Sequence, residues 1–349
     1  MEQKVFQEAT GNSSARQSVQ QAVKQIAGYL LALACLIWVF HDIQLHRVWV
    51  NISSMNWLLV AGAVGCDIVS YVCQGLRWHL LLHRTGPTTT MRAVHAIYAG
   101  LFTNEILPMR VGELVRTYLI SRWLSVPFIS IIPSVAVERL FDGIWLGIGF
   151  VITAAFIQVP ENITDAAQTV GVGALVLIGL FLYLIVVRRK TNDAVIKQNH
   201  DRGWQPLRLL KSFFVHIADE IQVLGTSRYF YFSFLVSSLM LILQILAFCL
   251  IMWAYGLQLS VWAGAAVLLF LRLGTVLPNA PSNVGTYQFL CVVGLTFFGI
   301  EKTVATGFSV AAFIILTVPL WALGFIAISR SGMTLQQIRT DIRVMMKKY

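Results

Sequence analysis

Long apolar segments separated by short polar connections dominate this sequence. A helix needs about 20 apolar residues to cross the hydrocarbon core of a bilayer. Six segments meet or approach that length: residues 26–40, 57–82, 128–156, 170–187, 229–255 and 308–328. The pattern therefore predicts six full membrane spans.

Two further apolar segments, residues 93–120 and 261–300, are interrupted near their middle. The first interruption, residues 104–113, reads NEILPMRVGE, and the second, residues 274–286, reads GTVLPNAPSNVGT. Proline and glycine weaken helical hydrogen bonding, and irregular backbone at membrane depth requires surrounding protein or a water-filled cavity. Each interruption predicts a re-entrant hairpin. Two kinked spans, or a simple loop between short spans, remain alternative interpretations.

Composition and charge place the chain in lipid. Hydrophobic residues make up 57% of the 349 residues and charged residues only 12%, which excludes an ordinary soluble enzyme. The net charge of +10 arises mainly from basic residues at both ends of the chain and between positions 188 and 228. In a membrane protein this bias marks cytoplasmic segments and contact with anionic lipid rather than nucleic acid.

These patterns predict an all-α, polytopic integral membrane helical bundle with six full spans and two re-entrant hairpins. Residues 1–25 form a cytoplasmic N-terminal segment, residues 26–328 the transmembrane domain and residues 329–349 a basic cytoplasmic tail. With both termini cytoplasmic, the first hairpin enters from the cytoplasm and the second from outside.

Charged side chains at bilayer depth are costly and mark candidate functional positions. Five basic and five acidic residues fall in the apolar or interrupted segments: Arg77, Arg110, Arg116, Arg139, Arg272, Asp67, Glu105, Glu113, Glu138 and Asp142. Helical spacing predicts that Glu113, Arg116, Glu138, Arg139 and Asp142 form one buried network on facing helices. Arg77 lies near the end of its segment, where extension towards the membrane surface is an equal alternative.

Arg272 differs from the other arginines because no acidic residue occurs between positions 261 and 299. Beside it, the second interruption carries Asn279, Ser282 and Asn283, whose uncharged hydrogen-bonding groups suit phosphate or sugar oxygens. A guanidinium binds phosphate in a bidentate way that lysine does not reproduce. We therefore expect Arg272 to contact an anionic ligand.

The two interruptions also resemble each other. Ile-Leu-Pro at 106–108 followed by Val-Gly at 111–112 recurs as Val-Leu-Pro at 276–278 followed by Val-Gly at 284–285, with a longer insert. Two broken segments that enter from opposite faces are typical of inverted-repeat transporters, in which helix ends point to the bilayer midplane. The sequence thus favours an inverted repeat.

Several motifs resemble the lysylphosphatidylglycerol synthase transmembrane-region family, the flippase-like membrane half of multiple peptide resistance factor proteins. They are Arg77-Trp78, then Asn104-x-x-Leu107-Pro108-x-Arg110-x-Gly112-Glu113-x-x-Arg116, then Glu138-Arg139-x-x-Asp142, and later Leu277-Pro278-x-x-Pro281-x-x-x-Gly285. In two respects the chain departs from the family. Gln288 stands where the family often carries an acid, and only residues 329–349 follow the last span, so lipid aminoacylation is not expected.

The resemblance implies movement of a lipid or polyprenyl-linked substrate between leaflets. The positions expected to line the path are Arg77, Asn104, Arg110, Glu113, Arg116, Glu138, Arg139, Asp142, Arg272, Asn279, Ser282 and Asn283. The expected partners are membrane lipids, an anionic phospholipid or a polyprenyl phosphate, in a bacterial or archaeal cell membrane. No cofactor, metal or catalytic residue is predicted, and homo-oligomer formation stays open.

Two other functions remain alternatives. One is a membrane-embedded lipid-modifying enzyme, for which Glu113, Glu138 and Asp142 are the acid–base candidates. The other is a non-catalytic scaffold for such an enzyme.

Overall fold

The structure, a computed structural model, describes residues 28–41, 43–107, 111–157, 228–275, 280–332, 337 and 340. These residues are helical and contain no strand, as predicted. The helices are α1 (Gly28–Phe40), α2 (Leu45–Ser53), α3 (Trp57–Leu81), α4 (Thr90–Ile106), α5 (Gly112–Leu124), α6 (Ile132–Phe156), α7 (Arg228–Ala254), α8 (Val261–Gly274), α9 (Thr286–Phe297) and α10 (Lys302–Arg330). The predicted span at residues 170–187, the segment 1–25 and most of the tail lie outside the described residues.

Three helices, α3, α7 and α10, are long and apolar enough to cross a bilayer, with 25, 27 and 29 residues. They correspond to the predicted segments 57–82, 229–255 and 308–328, although α10 begins earlier, at Lys302. Helix α6 also has 25 residues but carries three charged side chains, and residues 128–156 bend by 111° relative to α5. Helix α1 is short. The count of six full spans therefore stays a prediction.

Both predicted interruptions separate two short helices that pack against each other. Residues 107–111 connect α4 to α5, and residues 275–285 connect α8 to α9. Helices α5, α8 and α9 have 13, 14 and 12 residues. At 1.5 Å per residue they are about 18–21 Å long, which is shorter than a hydrocarbon core of about 30 Å. None of these three arms crosses a bilayer core by itself.

Polar residues start several helices and satisfy backbone N–H groups that would otherwise have no partner in lipid. The side chain of Asn56 accepts hydrogen bonds from Leu58 N and Leu59 N at the start of α3. Thr89 and Ser260 do the same at the first turns of α4 and α8.

Helix α3 lies at the centre of the described bundle. It packs along α7 and also contacts α4, α6 and α10, while α9 packs against both α8 and α10. The outer side of α7 exposes large apolar side chains, including Tyr231, Phe232, Leu235 and Ile242, as a lipid-facing surface requires. The inner side of α3 instead carries Asp67, Ser70, Gln74 and Arg77 at helical spacing, all buried.

Candidate functional site

A network of six charged side chains joins α3, α5 and α6. At its centre lies Glu138, which is fully buried and contacts two arginines. Glu138 Oε1 is 2.6 Å from Arg77 Nη2, and Glu138 Oε2 is 2.7 Å from Arg116 Nη1. Gln74, one turn before Arg77, also donates a hydrogen bond to Glu138 Oε1 at 3.1 Å. One carboxylate thus joins α6 to both α3 and α5.

Asp142 and Arg139 extend the network towards a more exposed edge. Arg77 Nη1 lies 2.5 Å from Asp142 Oδ1 and 3.1 Å from Ser237 Oγ on α7. Arg139 contacts Asp142 at 3.2 Å and Glu113 at 2.7 Å. The side chain of Arg139 is 49% exposed, whereas that of Arg77 is fully buried.

Arg116 is held by an aromatic ring as well as by charge. Its guanidinium carbon lies 4.7 Å from the centroid of the Trp78 ring, a cation–π distance. The Trp78 Nε1–H donates to Ser134 Oγ at 3.0 Å, which fixes the ring between α3 and α6. Arg116 and Glu138 form an ion pair by distance, although neither Arg116 Nη1 nor Glu138 Oε2 has an aligned hydrogen bond.

The network balances its own charge, with three arginines against three acids within ion-pair distance. Uncompensated charge in a low-dielectric interior is very costly, and mutual pairing with added hydrogen bonds removes most of that cost. The prediction that Glu113, Arg116, Glu138, Arg139 and Asp142 form one network is confirmed. The structure adds Arg77 at its most buried position.

The first interruption is closed by an amide side chain. Gly112 N, the first N–H of α5, donates to Asn104 Oδ1 on α4 at 2.7 Å. A methyl group on Gly112 would run into the carbonyl oxygen of Gly100 and the amide of Asn104. Glycine here lets the two arms cross closely, and Asn104 satisfies a helix N-terminus inside the bundle.

The second interruption uses a similar arrangement. Gly285, with a left-handed φ of 86°, precedes α9, and its N–H donates to Gln288 Oε1 at 2.7 Å. Gly285 lies against the backbone of Ala32 on α1, where a side chain would collide with the Ala32 carbonyl group. In both interruptions, therefore, the glycine that follows valine donates its N–H to an Asn or Gln side chain.

The two interruptions touch each other. Ser282 Oγ donates to the backbone carbonyl of Glu105 at 2.9 Å, and the turn Pro281–Asn283 packs against α4. Ser282 and Asn283 both adopt left-handed backbone conformations, with φ of 56° and 53°. The two interruptions therefore meet through residues that are 177 positions apart in the chain.

A second group of ionisable residues surrounds this contact. Arg272, on α8, interacts electrostatically with Asp67 on α3, and both act on Tyr71. Glu105 also acts on Tyr71, and Tyr287 of α9 interacts with Asp67. Among the described residues, Arg272 has no acid within 4 Å, and its buried Nε has no hydrogen-bond partner.

The residues predicted to line the substrate path do not all lie in one place in the structure. Ser282 and Asn283 lie at the contact between the hairpins, with Arg272 in the group around it, while Arg110 and Asn279 lie outside the described residues. Gln74 and Ser237, which bind the charge network, were not predicted. Gln74 could have been found, because Asp67, Ser70, Gln74 and Arg77 repeat at helical spacing. Nothing in the local sequence marks Ser237.

Comparison with known proteins gives matches along most of the chain. The family model described as the lysylphosphatidylglycerol synthase TM region matches residues 25–324. A UPF0104 membrane protein of Methanothermobacter thermautotrophicus is 24% identical over 326 residues, covering 90% of this chain and 94% of the relative. A UPF0104 membrane protein of Methanocaldococcus jannaschii is 22% identical over 321 residues, covering 86% of this chain and 92% of the relative.

A third relative is similar over a shorter region. Glycosyltransferase AglD of Haloferax volcanii is 29% identical over 128 residues, which cover 36% of this chain. The matched region is only 20% of the length of AglD. The apolar spans together with these matches make the chain an integral membrane protein.

Proposed function

Because this chain belongs to the lysylphosphatidylglycerol synthase transmembrane-region family, we propose that it moves an anionic amphiphile between the two leaflets of a membrane. The observation that carries this proposal is Arg272. It is a cation without an ion-pair partner among the described residues, and it lies in the last turn of α8, directly before the second interruption. The arginines in the network around Glu138 are all paired with carboxylates, so they have less hydrogen-bonding capacity left for an anionic ligand.

The hydrogen-bonding groups near Arg272 support a polar headgroup as the ligand. Arg272 Nε, Thr286 Oγ1, Tyr287 Oη and Glu105 Oε2 are all buried without hydrogen-bond partners among the described residues. Buried polar atoms are normally paired, and four unpaired ones around one turn leave capacity for a ligand. Phosphate oxygens match the guanidinium, and headgroup hydroxyls match the carboxylate and the two side-chain hydroxyls. An anionic phospholipid and a polyprenyl phosphate both carry the required phosphate.

Two re-entrant hairpins that enter from opposite leaflets are the arrangement we propose around this site. Arms of 12–14 residues are too short to cross the core, and the two turns meet rather than lying at opposite surfaces. In each interruption the glycine after valine donates to an amide side chain, from the preceding helix in the first and from the following helix in the second, and this partial similarity supports an inverted repeat. The positive-inside rule then places both termini in the cytoplasm of a bacterial or archaeal cell.

A lipid-modifying enzyme is the weaker candidate. Its acid–base residues would be Glu113, Glu138 and Asp142, and each of these carboxylates is ion-paired with arginine. Such pairing occupies the carboxylate oxygens, which suits structure better than proton transfer. The similarity to AglD, a protein named a glycosyltransferase, covers a fifth of that protein and does not outweigh this pairing.

The test is lipid movement in phosphatidylcholine vesicles that contain the purified protein and a trace of NBD-labelled phosphatidylglycerol. Dithionite bleaches only the outer leaflet, so transport appears as bleaching of lipid that began inside. We expect Arg272→Ala to slow this by about tenfold or more, because a charge-assisted hydrogen bond contributes about 1.5–3 kcal/mol. Arg272→Lys should also be slow, since lysine lacks the planar donors.

Arg47→Ala is the matched control. Arg47 is an exposed arginine whose one ion pair among the described residues is with Glu301, at 3.6 Å. It should transport like the wild type. Undiminished transport by Arg272→Ala would remove this residue from the site. Equal movement of NBD-labelled phosphatidylcholine would contradict an anionic substrate, and no movement of any lipid by the wild type would favour the scaffold alternative.

A further inference from the structure

Asp67 is a buried carboxylate that the network around Glu138 does not use. It is only 8% exposed, and its side chain makes no hydrogen bond or ion pair within 4 Å among the described residues. It lies ten residues after Trp57, about 15 Å from the start of α3. In a span of 25 residues, that position is close to the middle of the bilayer.

Within the part of the chain that the structure describes, the one cation that acts on Asp67 is Arg272 of α8. The other titratable side chains in this group are one acid, Glu105 of α4, and one thiol, Cys291 of α9. Three tyrosines complete it: Tyr71 of α3, Tyr98 of α4 and Tyr287 of α9. On the α7 side, the nearest polar contact is neutral, a bond from Gln244 Nε2 to Ser70 Oγ at 3.4 Å. The two acids of α6, Glu138 and Asp142, bind Arg77, about three turns further along α3. The charged residues of α10 lie at the two ends of that helix.

Asp67 and Arg272 therefore balance each other without touching. Their separation exceeds the ion-pair limit of 4 Å, so neither group saturates the other's hydrogen-bonding capacity. An anionic headgroup that binds Arg272 compensates the positive charge of its guanidinium. Asp67 then becomes a buried anion beside a second anion, and such a carboxylate is strongly driven to accept a proton.

We propose that Asp67 binds one proton whenever an anionic headgroup occupies Arg272, so that headgroup and proton enter and leave the site together. This coupling rests on the function proposed above. The proton comes from water on the side to which the site is open, forms an O–H bond with a carboxylate oxygen of Asp67, and returns to water when the headgroup leaves. No bond of the lipid is made or broken.

Calorimetric titration of the full-length protein in detergent with a short-chain phosphatidylglycerol tests the coupling. This probe is a phosphodiester, whose charge does not change near neutral pH. If one proton is taken up per headgroup, affinity should rise by up to about tenfold for each pH unit lowered. Titrations in buffers of different ionisation heat should also give about one proton taken up per headgroup bound, a measurement that needs no variant.

Asp67→Asn carries a permanently neutral side chain of the same shape. It should bind the probe as tightly near neutral pH as the wild type does at low pH, and the dependence on pH should disappear. Glu301→Gln is the matched control, since Glu301 is exposed and, in the described part of the chain, forms an ion pair with Arg47 alone. It should keep the wild-type dependence.

The outcomes separate the two proposals. Tight binding of the probe with no change in affinity across pH, or an Asp67→Asn protein that keeps the wild-type dependence, overturns the proton coupling and leaves lipid transport standing. Absence of binding at every pH, together with absence of lipid movement in vesicles, overturns the proposed function and the coupling with it.

Discussion

Replacement of Arg77 by methionine should destabilise the protein far more than the same replacement of Arg139. Methionine keeps much of the aliphatic length but removes the charge. Arg77 is fully buried and contacts Glu138, Asp142 and Ser237 at 2.5–3.1 Å. Its loss leaves Asp142 Oδ1 without that donor and Glu138 Oε1 with only the neutral donor Gln74 inside the bundle. Removal of one partner from a buried ion pair costs about 3–5 kcal/mol.

Arg139 should behave differently, although it lies in the same network. Its side chain is 49% exposed, and its partners Glu113 and Asp142 are about one-third exposed. Lipid headgroups and water can replace its contacts there, so Arg139→Met should lower the free energy of unfolding by about 1 kcal/mol or less. The full burial of Arg77 was not predicted from the sequence, which placed it near a helix end with extension to the membrane surface as an equal alternative.

Reversible unfolding in mixed detergent micelles measures how much free energy of unfolding each variant loses. The comparison requires that the free energy of unfolding depends equally on denaturant concentration in all the proteins. A double-mutant cycle of Arg77→Met with Glu138→Gln should give a coupling of about 2–3 kcal/mol, at the upper end for residues in direct contact. Equal losses for Arg77→Met and Arg139→Met, or a coupling near zero, would refute the reasoning that burial makes Arg77 the central residue.

Two other predictions follow from the hairpin geometry and the topology. Gly112→Ala should destabilise the protein by about 1–3 kcal/mol, because its methyl group meets the Gly100 carbonyl, whereas Gly143→Ala, with open space around it, should be neutral in the same unfolding assay. In intact cells, a membrane-impermeant maleimide should label Glu301→Cys but label Ser329→Cys only after permeabilisation, since Glu301 precedes α10 and Ser329 lies in its last turn. The reverse pattern would contradict cytoplasmic termini.

The positions of both interruptions could be predicted from the sequence because proline and glycine impose local constraints. Residues 104–113 and 274–286 contain the observed connections at 107–111 and 275–285. Much of the network was predictable for a similar reason, since Glu138, Arg139 and Asp142 share one helix and three-residue spacing fixes their relative directions.

Contacts between distant segments could not be predicted in the same way. Whether Arg77 reaches the membrane surface or a carboxylate depends on which helix packs against the end of α3. The contact of Ser282 with Glu105 likewise depends on how the two hairpins assemble. Asn104 was expected on the substrate path, and its bond to Gly112 shows that a polar residue in a membrane motif can also hold the backbone. Helix α2 was not predicted because its apolar pattern is too short to suggest a span.

The neutral sum of the six charges around Glu138 has an electrical consequence. A transmembrane voltage does work on every net charge that moves along its field, about 2.3 kcal/mol per elementary charge for each 100 mV. Three arginines and three acids held within ion-pair distance move as an uncharged group. The group itself can therefore shift through the field without a first-order energy change, so a change in voltage should not pull it towards either face of the membrane.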